Sequence, residues 1–143
     1  MAGSWEHFAH DSDIGVRGRG ATVAEAFAAA GVALTAVITG PDGVAPREVV
    51  ALACEARALD LLLVEWLDAI IFEMATRALL FSDYSVTIDG SEGAWVLRGE
   101  ARGEAIDVDR DAPTVEVKGA TFTGLRVVEE APGRWVAECV VDV

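Results

Sequence analysis

Apolar and polar residues change their period along the chain in an order that predicts a fold. Near the start, "WEHF" and "DIGVRGRG" alternate or run short enough to be strands, the second with Ile14 and Val16 on one face. The period then lengthens. Phe27, Ala30, Leu34, Val37 and Ile38 recur at helical spacing, Thr22 stands three residues before Glu25 as a capping box, and Gly40-Pro41 closes the stretch. After a turn at Pro41-Asp42-Gly43, the alternation of Val50, Leu52 and Cys54 reads as a strand. A second helix is expected over about residues 60–80, with Leu59, Leu62, Leu63, Trp66, Leu67, Ile70, Ile71 and Met74 forming one broad apolar face. Beyond it, "DYSVTI", "AWVLRGEARGEAIDV", "TVEVKGATFTGLRVVEE" and "RWVAECVVDV" read as an antiparallel meander turning at Asp89-Gly90 and Pro132-Gly133. Strands, two helices and more strands imply an α+β fold: two helices packed on one face of a mostly antiparallel β-sheet, in a single two-layer domain over residues 1–143.

Charge narrows what such a domain does. The chain carries 24 acidic against 11 basic residues, a net charge of −13, and so acidic a surface repels phosphate backbones. Direct, tight nucleic-acid binding is not expected; cations, basic proteins and basic clefts are favoured. The segment "MAGSWEHFAH" lacks the basic-then-apolar pattern of a secretory signal, which points to a cytoplasmic protein. The long apolar run from Leu59 to Phe81 suggests a membrane span until Asp60, Glu65, Asp68, Glu73 and Arg77 inside it are counted. Cys54 and Cys139 lie far apart in alternating apolar stretches and read as buried free thiols.

Most familiar chemical motifs fail here. Asp107, Asp109 and Asp111 open like a calcium loop, but Ala112 stands where the sharp-turn glycine belongs and Lys118 where the closing glutamate should be. Gly15, Gly18 and Gly20 do not follow dinucleotide-binding spacing, no phosphate loop exists, and His7 and His10 are the only imidazoles a hydrolytic triad could use. What remains is acid at both ends: Asp11 and Asp13 before a strand, Asp142 at the close of the last one. A hard divalent cation takes about six to eight oxygens, which carboxylates, backbone carbonyls and water supply. The composition alone also fits solvated turn acids and an ordinary strand end.

A resemblance bears on that choice. "WEHFAHDSDIGVRGRG" is similar to the opening of the archease family, "ATVAEAFAAAGVAL" and "ALDLLLVEWLDAIIF" to its two helices, "GEAIDVDRD" and "VEVKGATFTGL" to its late strands, and "VVDV" to its ending. The likeness runs in order through nearly the whole chain. It implies a small α+β protein that is not itself an enzyme but activates the RtcB-type RNA ligase of tRNA splicing and RNA repair. The ligase uses GTP and Mn²⁺, and the activator promotes guanylylation of its active-site histidine and multiple turnover.

Carried onto this chain, the family's metal positions fall on Asp13, Asp142 and Val143, the last through a backbone or terminal oxygen; His10 and Asp11 of this chain stand close by in sequence as auxiliary candidates. Lys118 matches the family's functional lysine, a contact to the ligase or its nucleotide. The all-oxygen set favours Ca²⁺, with Mg²⁺ or Mn²⁺ as alternatives, over zinc. Asp11-Ser12 replaces the family's usual Thr-Ala, while Asp111 and Thr123 stand where histidines are common. Two rival readings are a general chaperone or adaptor using an exposed apolar patch, and a metal-dependent hydrolase.

Overall fold

A computed structural model describes residues 3–113 and 115–143 of the chain. Met1 and Ala2 of the segment read for a signal, and Thr114 of the expected strand beginning "TVEVKG", lie outside the described residues.

Strands β1 (Ser4–His10) and β2 (Asp13–Gly20) form the expected hairpin. Helix α1 (Val23–Ile38) begins where the capping box placed it: Thr22 Oγ1 accepts from the Glu25 N–H at 3.1 Å, and Glu25 reaches back to the Ala21 N–H. Strand β3 (Glu48–Ala56) precedes helix α2 (Leu59–Arg77). The helix is shorter than its apolar run because Ala78 turns left-handed at φ 53°, and its N–H bonds to the Met74 carbonyl. Leu79 and Leu80, expected in the helix, instead start strand β4 (Leu79–Ser91), which leads into β5 (Ala94–Ala105). A four-residue helix, α3 (Val108–Asp111), follows, then the two-residue β6 (Gly119–Ala120), β7 (Arg126–Ala131) and β8 (Arg134–Asp142).

The α+β class and the antiparallel pairing stand as expected, but the strands divide into two sheets rather than following one meander. One sheet runs β1-β2-β8, with β6 and β7 on successive stretches of the other edge of β8; the second runs β3-β5-β4. Most of the expected strand over residues 114–130 is therefore loop, holding only β6 and β7. Alternation shows which face of a strand is wet, not which neighbour it meets, so the division was invisible locally.

The helices serve both sheets. Gly18 of β2 lies so close to α1 that a Cβ there would sit 2.2 Å from the Ala26 carbonyl oxygen, while Thr35 of the same helix shares a 2.8 Å hydrogen bond with the Tyr84 hydroxyl of β4. Trp66 of α2 is fully buried, donates its indole N–H to the Phe27 carbonyl of α1 at 3.0 Å, and stands edge-on to Tyr84. That dual contact explains why α1 is apolar nearly all round. None of the described helices is long and apolar enough to cross a membrane.

Removing the Trp66 side chain should open a cavity where both helices and the second sheet meet. Trp66→Ala is expected to lower unfolding free energy by about 3–5 kcal/mol, read from urea denaturation. A loss under about 1 kcal/mol would show that the core does not depend on this ring.

Candidate functional site

The sheet holding β1, β2, β8 and β6 has a core face and an outer face. Ile14, Val16, Ala137, Cys139 and Val141 belong to the core, so the alternate residues look outward. On that outer face, register sets residues in rows. Glu6, Arg17 and Glu138 form one row: Arg17 Nε meets Glu138 at 2.8 Å and Arg17 Nη1 meets Glu6 at 3.3 Å. Arg126 adds a second cation to Glu138 at 3.3 Å. Arg19 pairs with Glu6 and Glu130 beside them. The next row holds Phe8 on β1 lying over Gly15, whose missing Cβ leaves room for the ring, and Arg17 caps the ring at 4.5 Å from its centroid.

The following row breaks the pattern. His10 pairs with Asp13 across the first hairpin, and one step beyond the Ile14–Val141 pair brings Asp13 opposite Asp142. Gly119 of β6 pairs with Asp142 from the other side. Side chains directly opposite in an antiparallel pair have Cβ atoms about 4.5–5.5 Å apart, and like charges in that position repel. Neither aspartate has an ion-pair partner among the described residues.

The chain's two acidic ends therefore meet, which is the condition a shared cation pocket requires. Val143 follows immediately, and the backbone N–H of Lys118 donates to the Asp142 carbonyl at 2.8 Å. His10 and Asp11 lie at the hairpin tip, with His10 Nδ1 at 3.9 Å from Asp11. Asp11 adopts φ 51° in the two-residue turn, a conformation aspartate tolerates well, and its side chain is almost fully exposed. All six positions singled out in the sequence thus gather at one end of one sheet. Among the described residues no group of three or more His, Cys, Asp or Glu side chains is placed to hold a metal. By its chemistry, a pair of carboxylates offers hard oxygens of the kind Ca²⁺ or Mg²⁺ takes and not those of a thiolate-seeking metal.

Lys118 is exposed and forms no ion pair within 4.0 Å among the described residues. It is also the only lysine in the chain, the other ten bases being arginine, a signal open to sequence reading that went unused. A second residue escaped notice: Asp68 on α2 accepts the Ala120 N–H of β6 at 2.9 Å and so ties the short strand that follows Lys118 to the helix. The sequence shows Asp68 only as one of several charges in an apolar run.

The rejected calcium-like loop has a structural role instead. Asp107 caps α3, accepting from the Asp109 and Arg110 N–H groups at 3.1 Å. Asp111 is buried against Arg110, whose guanidinium holds its carboxyl below the usual range.

Comparison with known proteins finds likenesses along nearly the whole chain. The family model described as Archease protein family (MTH1598/TM1083) matches residues 5–143. A protein archease of Methanopyrus kandleri is 40% identical over 97% of this chain and 99% of its own length. One of Pyrococcus furiosus is 34% identical over 97% of this chain and 98% of its own. The solution structure of Methanobacterium thermoautotrophicum protein 1598 matches with a TM-score of 0.84 at 28% identity, covering 98% of this chain and 99% of that one.

The ion lattice behind the row carries a pH signature. Burial pushes the Glu138 carboxyl up, but Arg17 and Arg126 outweigh it and hold the group below its ordinary value. Hydrogen bonds from Arg19 and Arg17 lower Glu6 as well. A lowered folded pKa means stability that is complete above the unfolded carboxylate value and is lost as pH falls through the folded one. Glu138→Gln should therefore melt below the native protein at neutral pH, and the gap should close as pH drops through and below 4.5. Melting curves across that range check it; a gap independent of pH would refute it.

Proposed function

The chain belongs to the archease family, and we propose that it is an accessory protein of an RNA-processing enzyme: the RtcB-type RNA ligase of tRNA splicing and RNA repair. It promotes guanylylation of the ligase and multiple turnover, and does not ligate RNA itself. The observation that carries this reading is the facing pair Asp13–Asp142, the described outer-face row in which acid opposes acid, whereas two rows away Glu6 and Glu138 oppose Arg17.

Such a pair asks for a cation. Asp13 and Asp142, with the backbone oxygen of Val143, hold a divalent ion there, Ca²⁺ by preference, with Mg²⁺ and Mn²⁺ as the alternatives. Bound metal supplies positive charge for an oxyanion such as a nucleotide phosphate. Lys118, a strongly hydrated point charge with no ion-pair partner among the described residues, directly precedes the adjoining strand β6 and is free to contact a phosphate or carboxylate of the ligase. His10 borders the row without a fixed role. The acidic surface leaves RNA to the ligase, since net charge of −13 disfavours a phosphate backbone.

A reducing, cytoplasmic setting suits the two free thiols. Burial pushes Cys54 to about 11 and Cys139 to about 12, so both stay protonated and unreactive at neutral pH.

The test is ligase guanylylation in the presence and absence of the purified protein. Stimulation should fall about tenfold or more in Asp13→Ala, Asp142→Ala and Lys118→Ala, since even an outer-sphere partner of a metal acts on that scale. Calorimetry with Ca²⁺, Mg²⁺ and Mn²⁺ should show binding lost in the two aspartate variants and kept in Lys118→Ala. Equal guanylylation rates with native protein, variants or buffer would reject the reading.

A further inference from the structure

We propose that the exposed side of α2 together with the residues following β6 is the surface on which the partner enzyme docks, with Phe72 and Phe122 as its two anchors. The inference rests on the accessory role proposed above and specifies where and how contact is made.

Phe72 and Phe122 are 63% and 68% exposed, although a phenylalanine ring is ordinarily worth burying. The fold brings them to one region. Asp68 and Phe72 are four residues apart on α2 and share a helix face, and Asp68 holds the Ala120 N–H, two residues before Phe122. The rings thus flank the point where helix and β6 are tied. An apolar cleft of about 660 Å³ opens nearby, floored by Ile71 and Met74 of α2 and bordered by Lys118.

Charge selects the occupant. Asp68, Glu65 and Glu116 around this region, like Asp13 and Asp142 on the adjoining row, have no ion-pair partner among the described residues, whereas Glu6, Glu130 and Glu138 in the middle of the sheet are matched by arginines. The rings thus stand among carboxylates that no arginine neutralises, unlike those in the middle of the sheet. The complementary partner is a folded protein surface with apolar recesses for two aromatic side chains and a rim of lysine and arginine. An acidic group on that surface meets Lys118. Exposed rings at the centre of such a contact supply affinity, and the acidic rim supplies orientation and rate.

Binding of the full-length protein to purified RtcB-type ligase, measured by surface plasmon resonance at low and high salt, tests the assignment. Phe72→Ser and Phe122→Ser should each weaken binding about tenfold, and the pair together more. Val49→Ser, on the other sheet, should leave it unchanged. Melting temperature and Ca²⁺ affinity should match the native protein in all four, which separates a lost anchor from a misfolded chain or a damaged cation site. Native affinity should fall as salt rises. Native protein that binds the ligase while both serine variants bind within about twofold of it would overturn this inference and leave the accessory role standing. Native protein that neither binds nor stimulates the ligase would overturn the accessory role itself.

Discussion

The antiparallel pairing of β2 with β8 is the constraint on which the functional end of the molecule depends. It joins segments more than a hundred residues apart, and a one-residue slip would turn Asp13 and Asp142 to opposite faces. Buried Val16, Cys139 and Val141 resist that slip from the core side, because moving them outward would expose apolar surface. Arg17 and Glu138 resist it from the outer side with a hydrogen-bonded ion pair, two rows from the aspartates. The same register therefore serves stability in the middle of the sheet and chemistry at its end.

Charge is distributed in keeping with that division. Arginines on β2 and β7 compensate the glutamates of β1, β7 and β8, so the broad outer face is electrically quiet. Asp13 at the start of β2, Asp142 at the end of β8 and Asp68 on α2 have no ion-pair partner among the described residues. The net charge of −13 gives the molecule a long-range acidic field, to which Asp13 and Asp142 side by side add locally, and this favours capture of a cation or a basic surface there.

The helices make this end rigid. Trp66 joins α2 to α1, Thr35 joins α1 to the second sheet, and Asp68 joins α2 to β6 beside the row. Lys118 directly precedes a strand of only two residues, and such a strand would be a weak platform by itself. Backbone bonding to Asp142 on one edge and the Asp68 carboxylate on the other hold it in place.

Much of the fold was legible from local pattern. Thr22 and Glu25 announced α1, the stripe from Leu59 to Met74 announced α2, and alternation marked β2, β3 and β8. Less legible were the end of α2 at Ala78, where a left-handed residue stops an apolar run that continues into β4, and the loop replacing most of the strand expected over residues 114–130. The sequence by itself determined which residues are chemically able to act: aspartates with hard oxygens, one lysine, no competing thiol or imidazole set. Tertiary structure alone decided that Asp13 faces Asp142, that Asp68 braces the strand following the lysine, and that two phenylalanines share one exposed region. Side-chain chemistry is a property of each residue, whereas proximity depends on strand register and helix placement, which long-range burial sets and no local period encodes.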